Sequence, residues 1–181
     1  SQEVKQLVMK YEEGSRDYSI QEENFFKGSN IKYFLCDRAK MYETIEKNLV
    51  EFCVERCSCW FHGRHYLVDA YITDERLKPI LLLANALFYI EQESVRRKHT
   101  PEQRLKFRLK YSRKIVEKIM KKLEAIRLAG NEYGALVHRA VNYILDDKEA
   151  FQKFLLDGHI ELHNNAIERM FRHIAIGRRN W

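Results

Sequence analysis

Acidic, basic and amide side chains crowd the stretch from Asp157 to Trp181 of this 181-residue chain. Glu168 stands among Arg169, Arg172, Arg178 and Arg179, and Asn164 and Asn165 lie one turn upstream. A carboxylate can hold a hard cation, and guanidinium groups can hold phosphate. The run NNxxER followed by GRRNW therefore suits chemistry on a phosphate ester. A second acid, Asp37, ends the apolar-aromatic run Ile31–Cys36. Each feature also has a plainer reading. Glu168 and Arg172, at i and i+4, make an ordinary surface pair worth a few tenths of a kcal/mol. The arginines make a solvated basic face, the amides make helix caps, and Asp37 makes a turn.

The elements that would position these groups follow from periodicity. Ile167, Met170, Phe171 and Ile174 repeat at i, i+3, i+4 and i+7, so an amphipathic helix is predicted there. Asn164 or Asn165 can cap its start, and Gly177 can end it. At about 100° per residue, Glu168 falls at the edge of the apolar stripe and Arg169 points to solvent. Ile31–Cys36 suits a buried strand, and Phe52–Cys59 reads as another, with turn or helix after Trp60. Val4–Tyr11 reads as a strand, and Ala39–Leu49 as a helix. The first third is thus mixed α/β.

From Arg64 to Phe154 the pattern is helical. Leu77, Leu81, Ala84 and Phe88 mark one helix. Thr100-Pro101-Glu102-Gln103 predicts a capping box, and the helix it opens runs to about Ala129, where Gly130 stops it. That helix is about 40 Å long, with Leu105, Leu109, Val116, Ile119, Leu123 and Ile126 as its stripe. Tyr133–Leu145 and Glu149–Leu156 continue helically. Glu91 and Glu93, just before Arg96-Arg97-Lys98, read as a solvated helix end.

The terminal block resembles the signature of the bacterial insertion-sequence-66 transposases. The matching residues are Asp157-Gly158, Asn164-Asn165-Ala166, Glu168-Arg169, Arg172, Ile174, Ile176-Gly177-Arg178 and Asn180-Trp181. A second block, Cys59-Trp60, His62, Arg64 and Val68-Asp69-Ala70, is similar to that family's CWxHxRxxxVDA segment. The chain departs from the family pattern at His163, where Asp is usual, and at Arg38-Ala39, where Gly-Tyr is usual. The resemblance implies a DDE nuclease site on a ribonuclease-H-like fold, interrupted by a large all-helical insertion. It implies Asp37 and Glu168 as catalytic metal ligands for a pair of Mg²⁺ or Mn²⁺ ions. Arg64, Arg169, Arg172, Arg178 and Arg179 become DNA contacts, and Asn164, Asn165 and His62 shape the site. Residues 1–63 are then the core around the second acid, 64–156 the insertion, and 157–181 the return to the core. The sheet is expected to be partial, with its first strands and first acid missing, so the chain alone is expected to be inactive. The expected partner is double-stranded DNA at transposon ends and target, bound by a homo-oligomer. A non-catalytic DNA-binding or assembly module, or a decayed transposase, is the competing reading.

Composition narrows the classes further. A net charge of +6 and a sequence pI of about 9.1 favour a nucleic-acid partner. No apolar run is long enough for a membrane span. Four cysteines in a chain of this length fit a reducing cytoplasm better than a disulfide framework, and the resemblance implies a bacterial cytoplasm, at the nucleoid. Cys57, Cys59, His62 and His65 crowd into too short a run for the usual zinc spacing, so a structural or DNA-contacting role is expected for that segment.

Overall fold

A computed structural model describes residues 31–36 and 54–163. Two short parallel strands, β1 (Tyr33–Cys36) and β2 (Glu55–Ser58), pair in the register Tyr33↔Glu55 to Cys36↔Ser58. Parallel neighbours need a crossover, and the seventeen residues between Cys36 and Val54 lie outside the described set. Five helices follow: α1 (Trp60–Thr73), α2 (Lys78–Arg96), α3 (Pro101–Ala129), α4 (Ala135–Leu145) and the short α5 (Lys148–Gln152). The described residues are therefore largely helical, with a small two-stranded parallel sheet ahead of the helices.

Local chemistry explains the boundaries. Thr100 Oγ1 accepts from the Gln103 N–H, and Gln103 Oε1 accepts from the Thr100 N–H, completing the capping box that opens α3. Gly130 ends α3 with φ at +58°, a region that side chains disfavour. Asp74 accepts from the Arg76 N–H and starts a 3₁₀ turn, Glu75–Leu77, that leads into α2.

The helices bury one common core. α1 packs on α4, α2 packs on α3, and α3 packs on α4. Leu67 and Ala70 of α1, Ala84 and Leu87 of α2, Val116, Ile119 and Leu123 of α3, and Ile144 of α4 have no solvent exposure. The expected stripe of α3 holds in its second half. In the first half Leu105 and Leu109 are only half-buried, and Arg108 and Ser112 take the interior positions. Glu91 corrects a second expectation: it is not solvated but 7% exposed, and it faces Arg108. It continues the arc Ile80, Ala84, Leu87 on α2, so the helix turns it inward and the ion pair makes that burial tolerable. Glu93 is half-buried, and hydrogen bonds from Arg96 and then Arg97 hold its carboxyl pKa down to about 2. The expected boundary at 63/64 falls inside α1. Among the described residues no helix is long and apolar enough to cross a membrane.

Candidate functional site

Three chain segments meet where the two strands end. β1 and β2 run side by side, and the Cys59 N–H donates to the Cys36 carbonyl across 3.2 Å. One residue later the Trp60 N–H donates to the Leu162 carbonyl across 3.1 Å. So the exit of β1, the start of α1 and the returning segment 160–163 share one edge. Ile160 and Leu162 are buried while Glu161 and His163 are half-buried, an alternation that lays this segment edge-on against the core.

Trp60 holds the junction. Its indole is 1% exposed and lies edge-on to Phe151 and Phe154, at 5.1 and 6.4 Å between ring centres. Its Nε1–H donates to the Phe151 carbonyl across 2.8 Å. Gly63, one turn along, lets the Phe151 ring lie against α1, because a Cβ there would come within 3.0 Å of it. Beside this contact Arg56, Ser58 and Asp147 form a second polar tie between β2 and the end of the helical region. Arg56 Nη1 donates to Asp147 Oδ2 across 2.8 Å, and Ser58 Oγ donates to the same oxygen.

One polar group of the family-like segment on α1 reaches α2. Arg64 Nε donates to Asn85 Oδ1 across 2.5 Å. His62 is half-buried, with its ring edge-on to Phe61 at 6.0 Å. His163 stacks on Phe88, one turn from Asn85 on α2, with ring centres 5.7 Å apart and nearly parallel planes. Arg64 and His163 therefore meet the same stretch of α2, which no sequence signal had tied to either. Cys57 and Cys59 are core residues, and burial pushes the Cys57 thiol up to about 11. His65 is instead exposed, 3.8 Å from Asp69.

Asp157-Gly158 anchors the return. The His159 N–H and ring both bond the Asp157 carboxylate, at 2.8 Å each, and the backbone bond is the main cause that lowers its pKa below the usual carboxylate value. Gly158 is pressed onto α3, where a Cβ would sit 1.8 Å from the Pro101 carbonyl oxygen. Arg104 Nη1 reaches the Gly158 carbonyl at 3.3 Å and Glu161 at 3.2 Å. Behind it, Arg108 clamps Glu91 with two bonds of 2.7 Å and also donates to the carbonyls of Phe154 and Asp157.

Of the residues singled out from sequence, Arg64 and His62 are described and share α1. Asp37, Asn164, Asn165, Glu168, Arg169, Arg172, Arg178 and Arg179 lie outside the described residues. Asp37 directly follows Cys36, and Asn164 directly follows His163. Among the described residues no group of His, Cys, Asp and Glu is arranged to hold a metal.

Comparison with known proteins agrees with the sequence motifs. The family described as Transposase IS66 family matches residues 4–181. The uncharacterized protein y4qI of Sinorhizobium fredii is 29% identical over 131 residues, covering 70% of this chain and 23% of that protein. The uncharacterized protein y4hP of the same organism is 51% identical over 41 residues, covering 23% of this chain and 7% of that protein. The chain thus spans under a quarter of the length of these curated relatives. No solved structure matches it.

Proposed function

This chain belongs to the IS66 family of transposases, and we propose that it supplies Asp37 and Glu168 as the second and third acids of a DDE site. In the longer parent protein that site cleaves phosphodiester bonds and joins strands at transposon ends. The observation that carries the reading is the pair of adjacent backbone hydrogen bonds at the strand ends, Cys59 to Cys36 and Trp60 to Leu162. Asp37 is the residue after the first acceptor, about 3.8 Å away between Cα atoms. Glu168 follows the second acceptor by six residues in sequence. Two segments far apart in sequence thus leave the described fold from neighbouring bonds. That supports two carboxylates converging at one sheet edge, as a ribonuclease-H-like core interrupted by the helices of residues 64–156 requires.

Asp37 and Glu168 would hold Mg²⁺ or Mn²⁺, and a two-metal site supplies activation of the attacking oxygen and stabilisation of the leaving one. The chain's own cations bind the DNA backbone in this reading. Arg64, steadied through Nε by Asn85, joins Arg169, Arg172, Arg178 and Arg179 in holding phosphates of double-stranded DNA. Asn164, Asn165 and His62 orient the Glu168 helix against the strand ends. A homo-oligomer would bring two transposon ends together.

The test is strand cleavage by the full-length protein on duplexes carrying the ends of its own element. Asp37→Asn and Glu168→Gln are each expected to abolish cleavage while end binding persists. A variant that cleaves like the parent removes that acid from the site. If both do so, the chain is a non-catalytic DNA-binding or assembly module.

A further inference from the structure

The outer face of α3 carries lysine at every fourth position: Lys106, Lys110, Lys114, Lys118 and Lys122. All five are exposed. Steps of four residues rise about 6 Å each, so the row is about 24 Å long. At about 100° per residue it centres on Lys114, on the side opposite the buried Val116, Ile119 and Leu123.

This row is unlike an ordinary solvated face. Such a face gains from Glu placed four residues before Lys, as Glu102 stands before Lys106 alone in this row, whereas like charges at that spacing repel. Here the like-charged pair repeats four times in succession along the helix. α3 holds ten Lys or Arg and three Glu, so its excess of positive charge exceeds the net +6 of the whole chain. The remainder of the chain is therefore close to neutral. Cations of α3 that serve the fold have acidic partners: Arg104 meets Glu161, Arg108 meets Glu91, and Arg127 meets Asp146. The five lysines form no ion pair among the described residues. Against the repulsion the row offers the described fold little beyond the Lys110 ammonium over the Tyr111 ring, 5.1 Å from its centre.

We propose that the lysine row of α3 is a second DNA surface, which binds the phosphate backbone of a duplex without reading its bases. It rests on the transposase reading, since an enzyme that joins DNA must hold a duplex beyond the phosphate that reacts. Lysine suits this task as a point charge on a flexible stem, with no fixed geometry to match. A duplex presents one phosphate per strand for about every 3.4 Å of axis, so about seven on each strand lie along a row of this length. The capping box at Thr100 and the clamp of Arg108 on Glu91 hold the helix rigid behind the row.

The experiment measures binding of this chain to a fluorescein-labelled duplex of about 30 bp and arbitrary sequence, by anisotropy, over a salt series. The variant replaces Lys106, Lys110, Lys114, Lys118 and Lys122 with Gln, and a companion replaces them with Arg. If each lysine meets one phosphate, the slope of log K against log salt should become shallower by about 4–5 in the Gln variant. The Arg variant should keep the parent slope, and thermal melting of the Gln variant should match or exceed the parent. A parent slope retained in a folded Gln variant overturns the proposal. So does a loss confined to binding of vesicles made of equal phosphatidylserine and phosphatidylcholine, which would assign the row to a lipid surface. The outcome is independent of cleavage. Failure of the Asp37 and Glu168 test would leave a changed salt slope standing as evidence for this surface.

Discussion

Arg108 has no solvent exposure, and four bonds hold it: two to Glu91, one to the Phe154 carbonyl and one to the Asp157 carbonyl. A cation buried this deeply depends on its counter-charge. Glu91→Ala is expected to destabilise the chain by about 3–5 kcal/mol, because the guanidinium is left in the interior without a partner. Glu91→Leu combined with Arg108→Met should cost less than the single change. It should not be neutral, since the Phe154 and Asp157 carbonyls lose their donor. Urea denaturation of the single and double variants checks this, and equal losses would contradict it. Asp157 offers a pH signature nearby. The His159 N–H lowers its folded pKa below the unfolded value. Its stabilising contribution is therefore complete above the ordinary carboxylate range and lost as pH falls through the lowered value. Asp157→Asn should flatten the acid limb of a stability-against-pH curve, and an unchanged limb would remove that role.

Elements join here through backbone as much as through side chains. Gly158 lets the return segment touch the first turn of α3, and a methyl group there would overlap the Pro101 carbonyl. Gly158→Ala should lower stability by about 1–3 kcal/mol in chemical denaturation, as overpacking against a fixed backbone does. A change within error would mean that the return segment yields freely. Such contacts also explain what could be read from sequence. The capping box and end of α3 were legible because their signals are local: Thr100, Pro101, Gln103 and Gly130 act within a few residues of themselves. The two described strands were legible but shorter than expected, because their ends depend on the partner's register, while the expected strand Val4–Tyr11 and helix Ala39–Leu49 lie outside the described residues. Glu91 was misread because the charged run after it ends in the exposed Arg96-Arg97; only its i+4 step from Leu87 marked it as interior. Tyr133 lies outside α4 because Gly134 takes the cap position.

At the scale of the whole molecule, charge and packing are divided between faces. The basic row sits on the outer side of α3, while Arg64 and His163 meet on α2. The motif blocks around Trp60 and Asp157 were visible in sequence. Their meeting through Leu162 was not, since a hydrogen bond between residues so far apart leaves no periodic trace. The same long-range closure has a consequence for the birth of the chain. Trp60 and Phe151, like Arg56 and Asp147, are separated by 91 residues. A ribosome adding about 5–20 residues per second delivers the partner roughly 5–20 s after Trp60 emerges. Throughout that interval the indole and the strand pair stand without their cover, and the nascent chain is open to a chaperone, a protease or a neighbouring polypeptide.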